Sequence, residues 1–355
     1  MMTPIKTHFL FAIIIITFFS CRKDTPPVLL QQGSTNLSSG KHLIICDEGN
    51  YGQNNAVVSF FDPLNNAIVV SAFAASNPNY TLGDIIQSVC KIAGNYYLVI
   101  NNSGKIVVCN SSFVRISTIN GLLSPRYIQY AFNDKAYVSS FKLPANPNQT
   151  NYIQVLDIHS NTVIKTIRLD GWTEEMQLSN GNIYVTNQNK KYVYVINTQT
   201  DVLTDSIYVG ASSACIIKDE NGKIWVSCNA DAANNISAKL IKINPANNSI
   251  EATISLNTTQ NSISRLCING SGNTLYYLMN DVFKMDINSI TATNIIPQST
   301  HTFYGLCIDS DDETIYVSDA VDYNSNGKLY RYQSNASLAG TYTVGLIPGF
   351  MMIDE

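Results

Sequence analysis

The sequence predicts an all-β protein: a seven-bladed β-propeller of four-stranded antiparallel blades, with the ring closed by pairing of its N- and C-terminal strands. Three observations carry this expectation. The first is a recurring strand pattern. An aromatic or branched pair ends one strand, a polar loop follows, an alternating strand closes in Asp or Asn, and a further strand completes the copy. The clearest copy runs Ile183-Tyr184-Val185-Thr186-Asn187, then Tyr192 to Asn197, then Thr204 to Val209. Setting Ile45, Val99, Val138, Val185, Val226, Tyr277 and Val317 in register gives spacings of 54, 39, 47, 41, 51 and 40 residues, the repeat length of a four-stranded blade. The second is composition. Charged residues make up 14% of the chain, against roughly a quarter in an average domain. Polarity comes instead from Asn, Ser, Thr and 20 Tyr, which is strand and turn material. The third is complementary ends. The first copy, starting near His42, lacks the inner strand that precedes each later anchor, and Gly345 to Ile353 supplies an apolar strand with no blade of its own. Pairing the two removes both free edges.

Taken in order, residues 1–20 read as an export signal, 21–40 as a tether and 41–355 as one propeller domain. Lys6 precedes an apolar run from Leu10 to Phe19 that closes in Ser20-Cys21. About ten apolar residues are too few to span a bilayer core of ~30 Å. The arrangement resembles a bacterial lipoprotein signal, which implies that Cys21 is the lipidated residue. An ordinary secretory peptide with an incidental cysteine is the alternative reading. The following Pro, Gln, Ser, Gly and Asn suit a flexible linker. The membrane is then touched only through the N-terminal lipid, as an outer-membrane lipoprotein facing the surface or the periplasm. A net charge of −4 without a basic cluster argues against nucleic-acid binding.

Seven cysteines remain after Cys21. Equivalent positions in different blades are too far apart to pair, so they read as buried free thiols. No cysteine–histidine spacing for zinc, GxSxG elbow or HExxH motif is present. Asp309-Ser310-Asp311-Asp312-Glu313 reads as a solvated hairpin turn, with calcium binding the lesser alternative. No catalytic residue, metal ligand or resident cofactor is therefore expected.

A propeller offers ligands the mouth of its central channel, formed by loops that lead into innermost strands or join second to third strands. In this chain those loops are aromatic and amide-rich. They carry Asn50 and Tyr51 in blade one, Arg126 and Tyr127 in blade three, Trp172 and Glu174 in blade four, Arg265 in blade six, and Phe303, Tyr304, Asp319 and Tyr323 in blade seven. Rings with a polar handle beside amide groups suit a neutral, polar, bulky small molecule or a glycan.

Tyr184-Val185-Thr186-Asn187 is the signature of YVTN-type propeller repeats. Asp47-Glu48-Gly49-Asn50-Tyr51-Gly52, Ser124-Pro125-Arg126-Tyr127, Gly171-Trp172-Thr173-Glu174 and Gly345-Leu346-Ile347-Pro348-Gly349 further resemble a largely uncharacterised lipoprotein propeller family of Bacteroidota. Glu175 stands where that family usually has Gly. Some relatives are cobalamin-capturing surface lipoproteins that sit over a TonB-dependent corrinoid transporter. The resemblance thus implies a non-catalytic propeller that captures a corrinoid or similar nutrient for such a transporter, and the domain is expected to be monomeric. The alternatives are a structural or adhesive protein that binds proteins or glycans, and a lactonase-like enzyme. An uncharged aromatic bowl would favour capture, whereas carboxylates and His301 converging on the channel would favour an enzyme.

Overall fold

The computed structural model describes residues 40–141 and 151–354. The export signal, Cys21 and nearly all of the tether lie outside the described residues, as does most of the loop from Phe141 to Asn151. The described chain forms seven four-stranded antiparallel sheets, each one blade. From the channel outward, blade four runs Thr173–Ser179, Asn182–Asn187, Tyr192–Asn197 and Val202–Tyr208. Blade one is the exception to sequential order, because its innermost strand is the C-terminal Pro348–Asp354. That strand pairs with His42–Asp47, opposing Met351 to Ile45, Met352 to Ile44 and Ile353 to Leu43. The ring is therefore closed as expected, and no blade is left with an open inner edge.

The second strand of each blade is buried on both faces, and its residues show how the repeat works. Tyr137, Tyr184, Trp225, Tyr276 and Tyr316 occupy one equivalent position and are 0–1% exposed. In blades two to four the hydroxyl reaches into the next blade. Tyr97 bonds Ile158 O at 3.5 Å, Tyr137 bonds Thr198 O at 3.4 Å and also Asp201, and Tyr184 bonds Asn248 Oδ1 at 2.6 Å. Each ring fills the space between sheets while its polar tip pins the neighbour's outer turn. The register also corrects the anchor of blade two. The tight turn Ala93-Gly94 places Asn95 opposite Ile92, as Asn133-Asp134 places Lys135 opposite Phe132. Leu98 is therefore the equivalent of Val138, rather than Val99.

Replacing Tyr184 tests this division of labour. Tyr184→Phe removes only the hydrogen bond and should cost about 1 kcal/mol. Tyr184→Ala also empties the space between the sheets and should cost about 3–5 kcal/mol. Urea unfolding would measure both.

Candidate ligand-binding site at the channel mouth

Pairing irregularities aim side chains into the channel. In blade three Pro125 opposes Ser140 and Ile128 opposes Val138, so Arg126 and Tyr127 face a single residue, Ser139. Glu174 and Glu175 stand likewise against Thr186 in blade four, and Ala214 and Cys215 against Ser227 in blade five. The register also shifts at Gln87 in blade two, at Tyr304 in blade seven and at Gly349-Phe350 in blade one. A bulge bends its strand and re-aims a side chain. In blades three, four and five the hydroxyl residue that follows the anchor braces the bulge: Ser139 Oγ accepts from Tyr127 N at 3.1 Å, Thr186 Oγ1 donates to Glu175 O at 3.0 Å, and Ser227 Oγ accepts from Cys215 N at 2.9 Å. The tetrapeptide from Tyr184 to Asn187 thus acquires a physical meaning. The ring joins blades, Val185 fills the core, Thr186 holds the bulge, and Asn187 accepts from Asn189 N and Lys190 N to shape the rim loop.

The bulged residues and rim loops enclose a cavity of about 620 Å³ to which every blade contributes. Its wall includes Glu48, Tyr51, Gln87, Asn101, Arg126, Gln188, Asn229, Arg265 and Tyr304. Below it lies a second, more apolar cavity of about 400 Å³ lined by the inner strands, with Cys90, Cys267 and Cys307 among its walls. Arg265 borders both.

The floor of the upper cavity is charged. Arg126 Nε lies 3.0 Å from the Glu174 carboxylate, and its guanidinium also donates to Gln87. Burial works against charge on Arg126, but the facing Glu174 outweighs it and holds the guanidinium cationic. Tyr304 donates to Glu48 Oε2 at 3.2 Å, and Glu175 Oε2 accepts from Ile216 N at 3.0 Å. Burial raises the pKa values of Glu48 and Glu174 above the usual carboxylate range and pushes that of Glu175 up to about 7. Burial also pushes Cys90 up to about 11 and Cys307 up to about 12, so these remain protonated and poor nucleophiles at neutral pH. All seven cysteines after Cys21 are free. Among the described residues no group of three or more His, Cys, Asp or Glu side chains is placed to hold a metal ion.

The structure gathers some of the expected site residues and disperses others. Tyr51, Arg126, Arg265 and Tyr304 line the upper cavity, and Glu174 is joined to it through Arg126. Asn50 shapes the rim by donating to Tyr323 O at 2.9 Å, and the Tyr323 ring packs edge-on to Tyr304 at 5.9 Å. Tyr127 points below the floor into the apolar cavity, packed on Phe350. Trp172 lies against Phe141, with ring centroids 3.9 Å apart. Phe303 and Asp319 face the gap between blades six and seven. There Asp319 accepts from Thr302 N, Val321 N and His301 Nδ1, and Phe303 stacks on His301. His301 is thus part of a loop brace with Asp319 and does not join the floor carboxylates Glu48, Glu174 and Glu175. The floor matches neither simple expectation, being charged like an enzyme site but without a histidine. Gln87, Asn101, Gln188 and Asn229 are further wall residues. Their signal in the sequence is position alone, within or beside the segments that enter or leave the mouth end of a strand.

A family model described as a domain of unknown function, DUF5074, matches residues 41–337. The chain belongs to the DUF5074 family. No curated protein sequence matches this DUF5074 chain. Among solved structures, it is similar to a quinonprotein alcohol dehydrogenase-like protein of Bacteroides thetaiotaomicron (11% identity, 87% of this chain and 77% of that one, TM-score 0.68). It is also similar to a functionally unknown protein of Desulfotomaculum acetoxidans (15% identity, 88% and 99%, TM-score 0.66) and to apo AztD of Citrobacter koseri (11% identity, 88% and 97%, TM-score 0.57). At these identities the likeness speaks to the DUF5074 fold alone.

Proposed function

We propose that this DUF5074 propeller is a lipid-anchored binding protein that receives a polar small molecule at the channel mouth and does not transform it. The observation that carries this reading is the 620 Å³ cavity, to whose wall every blade contributes, with amides, hydroxyls, Tyr51 and Tyr304 beside the charged Glu48, Arg126 and Arg265. A cavity with convergent polar groups on a rigid scaffold is what ligand recognition requires. Affinity would come from a preformed wall, with little ordering cost. A corrinoid handed on to a TonB-dependent transporter is the first ligand to test, resting with its peripheral amides toward the cavity wall. Cys21 would supply the lipid anchor at the outer membrane.

Calorimetric titration of residues 41–355 with cyanocobalamin is the test. One-to-one binding weakened about tenfold or more by Tyr51→Ala would fit the proposal, since a ring stacked on a ligand contributes on the order of 1–2 kcal/mol. An absence of heat at concentrations where micromolar binding registers would remove this corrinoid. Glu175 favours a second reading, a lactonase-like enzyme, because a carboxyl near neutrality suits a general base. Lactone hydrolysis by the wild type that Glu175→Gln abolishes would replace binding by catalysis.

A further inference from the structure

We propose that the ligand of this mouth carries an anionic oxygen group, a carboxylate or a phosphate, which Arg265 receives; this rests on the binding reading above. Arg265 opens the inner strand of blade six, Arg265–Ile268, and projects into the channel between the two cavities. One of its terminal nitrogens, Nη1, donates to Ser264 O at 3.0 Å. Its guanidinium carbon lies 5.8 Å from the centre of the Tyr304 ring. Its Nε is buried with no hydrogen-bond partner, and no carboxylate among the described residues forms an ion pair with it.

The contrast with Arg126 is informative. Arg126 is occupied by Glu174 and Gln87, so its charge is already answered inside the protein. Arg265 is a half-buried cation whose Nε–Nη2 edge, two N–H groups pointing the same way with Nε itself shut off from water, has no acceptor among the described residues. That edge matches the two oxygens of a carboxylate or phosphate, which an ammonium group cannot do. Shielding an unpaired charge from water is unfavourable, and an arriving counter-charge offsets it. The nearby carboxyls Glu48, Glu174 and Glu175 act on Arg265 only from beyond ion-pair distance, while Glu48 accepts from Tyr304 and Glu175 accepts from Ile216 N. Burial favours the neutral form of both, which weakens them as counter-ions to Arg265. The amides of the cavity wall then have the role of orienting the uncharged remainder of the ligand.

The experiment uses sodium phosphate and sodium acetate as probes, with sodium chloride holding ionic strength constant, and follows thermal unfolding of residues 41–355. In the wild type one of the two anions should raise Tm saturably by about 2–4 °C once well above its Kd. A response to phosphate alone would mark a phosphate ligand, and a response to acetate alone a carboxylate. Arg265→Gln should lose the response. Arg265→Lys, which keeps the charge and loses the fork, should bind at least tenfold more weakly, and it serves if the glutamine variant does not fold. Arg331→Gln, at the outer rim, should respond as the wild type does. No saturable response in the wild type, or one that survives in Arg265→Gln, overturns the proposal. If cyanocobalamin or another ligand binds Arg265→Gln as tightly as the wild type, this inference fails while the binding reading stands. If the wild type binds nothing in either experiment, both fail.

Discussion

Ending the chain at Ile347 is expected to abolish cooperative folding. The missing strand, Pro348–Asp354, is the innermost of blade one and, among the described residues, the only element joining the last blade to the first through a sheet. Without it, His42–Asp47 loses the ladder from His42–Asp354 to Asp47–Pro348, although that strand is buried along its whole length. Met351 leaves the cluster it forms with Leu43, Ile45, Phe61 and Tyr316, and Phe350 leaves its contact with Tyr127. Each large apolar side chain returned to water costs about 1.5–3 kcal/mol, and a newly exposed strand edge invites association. Together these losses approach the whole stability of a typical domain, about 5–15 kcal/mol. Circular dichroism melting and gel filtration would show a broad transition and an expanded or aggregated chain. A truncated protein that melted as one sharp transition within a few degrees of the wild type would contradict this account of closure.

Asp47→Asn is expected to flatten the dependence of stability on pH between about 4 and 8. Asp47 is fully buried, accepts from Ser59 Oγ at 2.5 Å, and has a second carboxyl oxygen, Oδ1, with no partner. Burial pushes its pKa up to about 8, against the opposing hydrogen bonds from Ser59 and Gly345. Gly345 is required for this approach, because a Cβ there would sit 2.6 Å from the Asp47 carboxyl carbon. The folded value lies above the unfolded one of about 4, so the folded chain holds an extra proton throughout that window. The stability this proton confers is complete below about pH 4 and is lost as pH rises through about 8, by a total of about 3–5 kcal/mol. Glu48, Glu174 and Glu175 slope the same way in both proteins. The difference between the two curves therefore isolates Asp47. Urea midpoints measured from pH 4 to 8 should fall in the wild type and fall distinctly less in Asp47→Asn. Parallel curves would show that the carboxyl is ionised in the fold.

The fold was legible because the repeat encodes geometry directly. An aromatic followed by Val and Ser or Thr, as in Tyr137-Val138-Ser139 and Tyr184-Val185-Thr186, marks a strand that must touch the next blade, fill the core and brace a bulge. Only blade two blurred the register. Tyr96-Tyr97-Leu98-Val99 carries two aromatics in succession, and the turn at Ala93-Gly94 decides which is equivalent to Tyr137. The site was less legible for a related reason. Neighbouring residues on a strand face opposite ways, so a shift of one position moves a side chain from wall to core. Tyr304 enters the channel while Phe303 packs between blades, and Arg126 lines the mouth while Tyr127 drops beneath it. A bulge adds a residue that no alternation rule can place, which is why Gln87 escaped notice in Asp84-Ile85-Ile86-Gln87. Trp172 stood out by its chemistry, but Phe141 lies within reach and takes its ring.

The account stands on the upper cavity as the place of recognition, and filling that cavity tests it most directly. Ala214 lines it from blade five, so Ala214→Trp would block the mouth with a side chain aimed from an established bulge. Cyanocobalamin should be titrated calorimetrically into both proteins, with matching melting curves as the control for folding. The account predicts one-to-one binding to the wild type and at least a hundredfold weakening in Ala214→Trp. Equal binding to the two proteins would place the ligand elsewhere on the propeller and contradict the account.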